Sequence, residues 1–149
     1  MPVLPELPEC ESKIKTFFFD TDSCGLIHNI AYLRFVEIAR SELAERLGWP
    51  LKEMEKTGLV PVVIKTEIVY KSPARLGDII SIISRLSRIE RVRFQIDFEL
   101  RKESPSGSLL AECRQILACI KLPERKPSPI PLNWAQAYPW LVGRKTENS

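Results

Sequence analysis

Residues 29–47 read N-I-A-Y-L-R-F-V-E-I-A-R-S-E-L-A-E-R-L, and this stretch decides the fold. Tyr32, Phe35, Val36, Ala39, Leu43 and Leu47 recur at steps of three and four, which is one apolar face of a helix. Leu33 and Ile38 widen the stripe beyond that of an ordinary surface helix, so the helix is expected to be covered on several sides. Gly48 is placed to end it as the residue after the cap, and Pro50 prevents continuation. At 1.5 Å per residue the segment would span about 28 Å.

Downstream of the helix the period changes to two. Residues 60–70 are β-branched, and residues 78–88 follow Pro73 and Gly77. Residues 91–101 alternate Val92, Phe94, Ile96, Phe98 and Leu100 with Arg91, Arg93, Gln95, Asp97, Glu99 and Arg101. Such a strand has one dry and one wet face, as in an antiparallel sheet. Between Arg88 and Arg91 there is room only for a tight turn, and Ser104-Pro105-Ser106-Gly107 leads into residues 109–121, so three strands form a meander. Upstream, residues 14–19 predict a strand after an extended lead-in over 1–11, and residues 20–25 predict a turn. A one-faced sheet and a long apolar helix are satisfied together if the sheet curls around the helix. The expected class is therefore α+β, about five antiparallel strands around one central helix.

The 149 residues suit one domain. Hydrophobic content of 44% and charged content of 28% exclude a disordered chain. A net charge of +3 fits an anionic small molecule and is too weak to indicate a nucleic acid. Cys10, Cys24, Cys113 and Cys119 make no C-x-x-C pair, and one histidine cannot complete a Cys/His zinc set, so no metal site is expected. Cys113 and Cys119, six apart on one strand face, would sit about 20 Å from each other and cannot bridge. A reducing cytosol is the simplest setting. The first residues lack the basic and apolar regions of a signal peptide, and no run reaches the roughly 18 apolar residues of a membrane span. Residues 123–149 carry Pro123, Pro127, Pro129, Pro131 and Pro139. Trp134, Tyr138, Trp140 and Leu141 there could dock on the sheet or on another subunit, or the segment could be a partly ordered tail, which sets the domain at 1–122.

Residues 16–40 run T-F-F-F-D-T-D-S-C-G-L-I-H-N-I-A-Y-L-R-F-V-E-I-A-R. The pattern resembles the signature of the 4-hydroxybenzoyl-CoA thioesterase-like hotdog family, roughly D-x-D-x-x-G-x-[VI]-x-[HN]-x-x-Y followed by an aromatic residue, Glu and Arg. Asp20, Asp22, Gly25, Ile27, Asn29, Tyr32, Phe35, Glu37 and Arg40 fall on it, and residues 70–78, Y-K-S-P-A-R-L-G-D, resemble the turn between that family's second and third strands. The resemblance covers about residues 12–122. It implies a hotdog fold, an acyl-CoA thioesterase, Asp22 as the essential carboxylate, and homodimers that pair further into homotetramers with the site between protomers.

Thioester hydrolysis needs a base for water or a nucleophile for the acyl group, and a carboxylate can be either. It also needs donors where the carbonyl oxygen becomes negative. The helix N-terminus supplies unpaired amides, and by family position the Asn29 amide polarises the carbonyl, with Gly25 shaping the turn beside it. His28, the only histidine, is a further candidate at the catalytic centre, although the family's polar position aligns with Asn29. Asp20 is read as shaping the loop and Cys24 as packing, while Glu37 and Arg40 pair with each other or across a dimer. Tyr32 and Phe35 are expected to line the acyl pocket. Arg75, Arg88, Arg91, Arg93 and Arg101 are candidates for the CoA phosphates, with Arg75 and Arg93 taken as substrate-binding. No cofactor is expected beyond the CoA of the substrate. Hydrolysis of an acyl-carrier-protein thioester and binding of acyl-CoA without turnover are the alternatives.

Overall fold

The fold was analysed on a computed structural model, which describes residues 3–143. The chain forms β1 (Glu9–Lys15), a 3-10 turn (Phe18–Asp20), α1 (Asn29–Arg46), α2 (Leu51–Thr57), β2 (Leu59–Tyr70), β3 (Ile79–Ile89), β4 (Arg93–Lys102), β5 (Leu109–Lys121), β6 (Lys126–Pro127) and α3 (Trp134–Ala137). The sheet is antiparallel in the order β1-β3-β4-β5-β2, with two-residue β6 added to β5. It curls around α1 as a hotdog fold. The β3-β4-β5 meander pairs as the alternation requires, with Phe94, Ile96, Phe98 and Leu100 buried against the helix.

The helix ends where Gly48 and Pro50 predict. Gly48 takes a left-handed φ of 85°, its amide donates to Glu45 O, and the Trp49 amide donates to Ala44 O, which is a Schellman motif. Ala31, Tyr32, Phe35, Val36, Ala39 and Leu43 form its buried face. Covering on several sides is not what the protomer provides. Ile30 and Leu33 stay exposed, and Ile38 is half-buried, because the sheet reaches only one side of the helix.

Two expectations change. The first strand lies at Glu9–Lys15, not at residues 14–19, because Ser12 and Ile14 point inward while Phe17–Phe19 leave the sheet. Asp20 draws them aside by accepting the Phe17 amide at 3.0 Å through Oδ2. The other change is α2, between α1 and the strands, where only strand had been expected. Its apolar content is thin, with Met54 alone packed on the core. Past β5 the chain returns to the core. Trp134 packs edge-on against Trp49 and Phe94, and its indole donates to the Leu47 carbonyl that ends α1 at 3.0 Å. Tyr138 is also buried, donating to Pro5 O at 2.7 Å. Residues 144–149 of the expected extension lie outside the described residues.

Candidate active site

The segment between β1 and α1 is a small hairpin, closed by a bridge between Thr21 and Ile27 and by the Asp22 amide donating to Leu26 O at 2.8 Å. Gly25 stands at its tip with φ 78°; a Cβ there would meet nothing within 4 Å, so the left-handed backbone, not space, calls for glycine. Asp22 binds this turn with one oxygen only. Its Oδ1 accepts the amides of Cys24 at 2.8 Å and Leu26 at 3.1 Å. Its Oδ2 has no partner among the described residues, and the residue is exposed.

Asp20 is the opposite case. It is buried, with Oδ2 on the Phe17 amide and Oδ1 on the Arg34 guanidinium, and its carbonyl accepts the His28 amide at 2.9 Å. The ion pair ties the loop to the first turns of α1. Asp20 shapes the loop.

His28 is the N-cap of α1. Its Nδ1 accepts the Ala31 amide at 3.1 Å, which leaves the proton on Nε2, 3.4 Å from the Phe19 carbonyl. Both ring nitrogens are therefore engaged by the scaffold. The amides of Asn29 and Ile30, the first two of the helix, donate to no group among the described residues. They point out of the helix end where its dipole is positive.

The turn after β2 closes the other side. Ile27 donates to Ala74 O at 2.9 Å, the Ala74 amide donates to the Tyr32 hydroxyl at 3.1 Å, and Thr16 Oγ1 binds Gly77 and Asp78 at 2.9 Å each. Between this turn and the helix start is a cleft of about 310 Å³, lined by Ile27, Asn29, Tyr32, Tyr70, Lys71, Ser72 and Pro73. Tyr70 donates its hydroxyl to Asn29 O at 3.0 Å and meets the Tyr32 ring edge-on at 5.2 Å. Burial, then the neighbouring Cys113 and Tyr32, push its phenol up, so it stays a protonated donor.

Asp22, Gly25, His28, Asn29, Tyr32 and Arg75 thus come together around the helix start. Arg75 is exposed, and its backbone bridges Leu26 of the hairpin. Phe35 and Arg93 do not join them. Phe35 is fully buried behind Tyr32 and beneath Arg34, because it lies on the centre line of the apolar face. Arg93 begins β4, whose other end, Lys102, reaches Asp78 of the site at 3.8 Å. Nine residues at about 3.4 Å each put Arg93 roughly 30 Å away within the protomer. Tyr70 and Lys71 line the cleft without having been singled out; the only sign was their place at the head of the Y-K-S-P turn. Glu37 and Arg40 approach to 3.8 Å, and Arg40 also donates to Gln115 at 2.7 Å.

Residues 18–141 match the family model described as the thioesterase-like superfamily. The chain belongs to that superfamily. By family it is a thioester hydrolase, and no helix among its described residues is long and apolar enough to cross a membrane. It is 28% identical over 115 residues to a 1,4-dihydroxy-2-naphthoyl-CoA hydrolase of Thermosynechococcus vestitus, covering 76% of this chain and 77% of that protein. It is 25% identical over 118 residues to the acyl-CoA thioester hydrolase YbgC of Escherichia coli, covering 79% of this chain and 87% of that one. Among solved structures, a DHNA-CoA thioesterase from Staphylococcus aureus superposes with a TM-score of 0.79 at 25% identity, over 89% of each chain.

Proposed function

We propose that the protein hydrolyses an acyl-CoA to free acid and coenzyme A, with Asp22 as the reacting carboxylate and with no metal or added cofactor. The observation that carries this reading is the pairing of two things. Among the described residues, Asp22 keeps one oxygen uncommitted on a hairpin that leads directly into α1, and nothing accepts from the first two amides of α1. A carbonyl oxygen bound at the Asn29 amide would gain stabilisation as it becomes negative. Asp22 would take a proton from water as hydroxide adds to the carbonyl carbon, or would itself add to form an anhydride that water then opens. Either way the C–S bond breaks, the sulfur leaves with the bonding pair, and CoA is released after protonation.

His28 serves by fixing the helix start, since both its nitrogens are occupied. Tyr70 serves by holding the Asn29 carbonyl. Tyr32 and Tyr70 give the acyl group an aromatic wall, and Lys71 supplies positive charge at the rim. The relatives named for CoA thioesters support CoA as the carrier of the acyl group.

The working unit in this reading is a homodimer, or a homotetramer of two such pairs, joined through the open edge strand β2. Val62, Val63, Ile64, Val69 and Tyr70 are exposed along it. Four free thiols fit a cytoplasmic setting. Thiol release from a panel of aromatic and aliphatic acyl-CoAs, with and without a chelator, tests the reading. Turnover of at least one member, unchanged by the chelator, is expected; no release from any would contradict it.

A further inference from the structure

Three consecutive phenylalanines stand in solvent just before the Asp22 hairpin. Phe17, Phe18 and Phe19 are 47%, 81% and 69% exposed. Solvent contact on this scale over adjacent large apolar side chains marks a surface that something covers. The ledge is also built rather than loose. The Phe17 amide is held by Asp20, the Phe19 carbonyl faces His28 Nε2 at 3.4 Å, and the Phe17 and Phe19 rings stack at 5.6 Å and 14°. Arg34, paired with Asp20, lies 5.1 Å from the Phe19 ring.

Cations border it. Lys15 Nζ lies 6.0 Å from the Phe17 ring, and the backbone of exposed Arg75 is joined to Thr16, whose Oγ1 donates to the Arg75 carbonyl at 3.3 Å. Two of the acids nearby, Asp20 and Asp78, are already engaged. Asp20 is paired with Arg34, while Asp78 accepts the Arg75 amide at 2.9 Å and faces Lys102 at 3.8 Å. Lys15 and Arg75 have no carboxylate partner among the described residues.

The ledge and the Tyr32–Tyr70 cleft lie on opposite flanks of the α1 N-terminus. Arg34 faces Phe19 and Tyr32 faces Tyr70, and residues two apart on a helix point about 200° from each other. A thioester held at the Asn29 amide has two arms, and the two flanks differ in chemistry. The ledge runs from uncharged rings at Phe19 outward to a cation at Lys15, the order in which CoA presents its uncharged pantetheine and then its phosphates. We propose that Phe17–Phe19, with Lys15 and Arg75, dock the CoA arm: pantetheine along the rings and phosphate at the two cations. The assignment rests on the reading that the substrate is a CoA thioester.

The test pairs binding with turnover. CoA is titrated calorimetrically into wild type, Lys15→Glu and Phe18→Ala, and each is assayed on an acyl-CoA and on the same acyl group carried by N-acetylcysteamine, which lacks the phosphates. Reversing the charge of Lys15 should weaken CoA about tenfold and lower the preference for the CoA thioester over the truncated one by a similar factor. Phe18→Ala should weaken CoA with no change in sedimentation. Unchanged CoA affinity in Lys15→Glu would overturn the proposal, and so would an equal loss on both thioesters, which would give the ledge to the acyl arm. A change of assembly state in Phe18→Ala would give it to a subunit contact and overturn it too. If wild type binds CoA yet releases no thiol, the hydrolase reading fails by itself, and the loss of CoA binding in Lys15→Glu still supports the dock.

Discussion

The two edges of the sheet are built differently. β1 is seven residues long, alternates Glu9, Glu11, Lys13 and Lys15 outward, and is tied to the helix by Ser12 donating to Glu42 at 2.6 Å. β2 is twelve residues long and carries exposed Val62, Val63, Ile64, Val69 and Tyr70, with one irregularity between Val63 and Lys65. Alternating charge and short length protect an edge from pairing, whereas a long apolar edge invites it. The helix shares the bias. Midway along, it is tied directly to β1 by Ser12 and Glu42. Among the described residues, β2 is bonded directly only at the helix start, by Tyr70 on Asn29 O, and farther along through a polar relay from Arg40 via Gln115 to Thr66. One edge is finished within the protomer. The other is left open and apolar, and if the proposed dimer forms there, the candidate site, beside the end of β2, becomes a feature of the assembly.

The largest test of this contrast is to give β2 the charge that β1 already has. Val62→Lys with Ile64→Lys should weaken self-association about 100-fold or more, seen as a shift to monomer in sedimentation velocity. Hydrolysis should fall with it. A variant that stays dimeric would break the contrast. On the β1 side, Ser12→Ala should leave assembly alone and cost about 1 kcal/mol in urea unfolding, since Ser12 is buried and Glu42 can turn to water. The thiols give the smallest and cheapest readout. Cys24 is exposed on the hairpin, while Cys113, behind β2, is buried and pushed up to about 11, mainly by burial. A raised thiol pKa leaves the unreactive protonated form at neutral pH, so maleimide should label Cys24 promptly and Cys113 only on unfolding. Prompt labelling of Cys113 would mean that β2 peels from the sheet.

Some of this was legible in the sequence because apolar residues carried it. The alternation of Val92 to Leu100 and the stripe of Tyr32 to Leu43 each place a face, and Gly48 with Pro50 places a helix end. β1 was misplaced by several residues because its inward positions include Cys10 and Ser12, so periodicity in hydrophobicity is weak there. α2 offered Leu51 and Met54 and little else. At the candidate site, the gathering of Asp22, Gly25 and Asn29 at the helix start was legible through a fixed spacing within one local segment. The full burial of Phe35 and the place of Arg93 at the far end of β4 were not, since spacing tells which face a residue takes but neither its depth nor which end of a strand it occupies. The exposed Phe17–Phe19 read as strand because three aromatics suit one, and nothing local revealed that the Asp20 carboxylate would turn them outward.

The central claim is that Asp22 does the chemistry rather than only closing its turn. Asparagine is the right probe, because its side-chain oxygen can still accept the Cys24 and Leu26 amides that hold the hairpin. Thiol release by Asp22→Asn, measured on the best acyl-CoA substrate alongside a unfolding curve that matches wild type, should fall by a factor of about 10² or more. A wild-type rate in the folded variant would contradict the account.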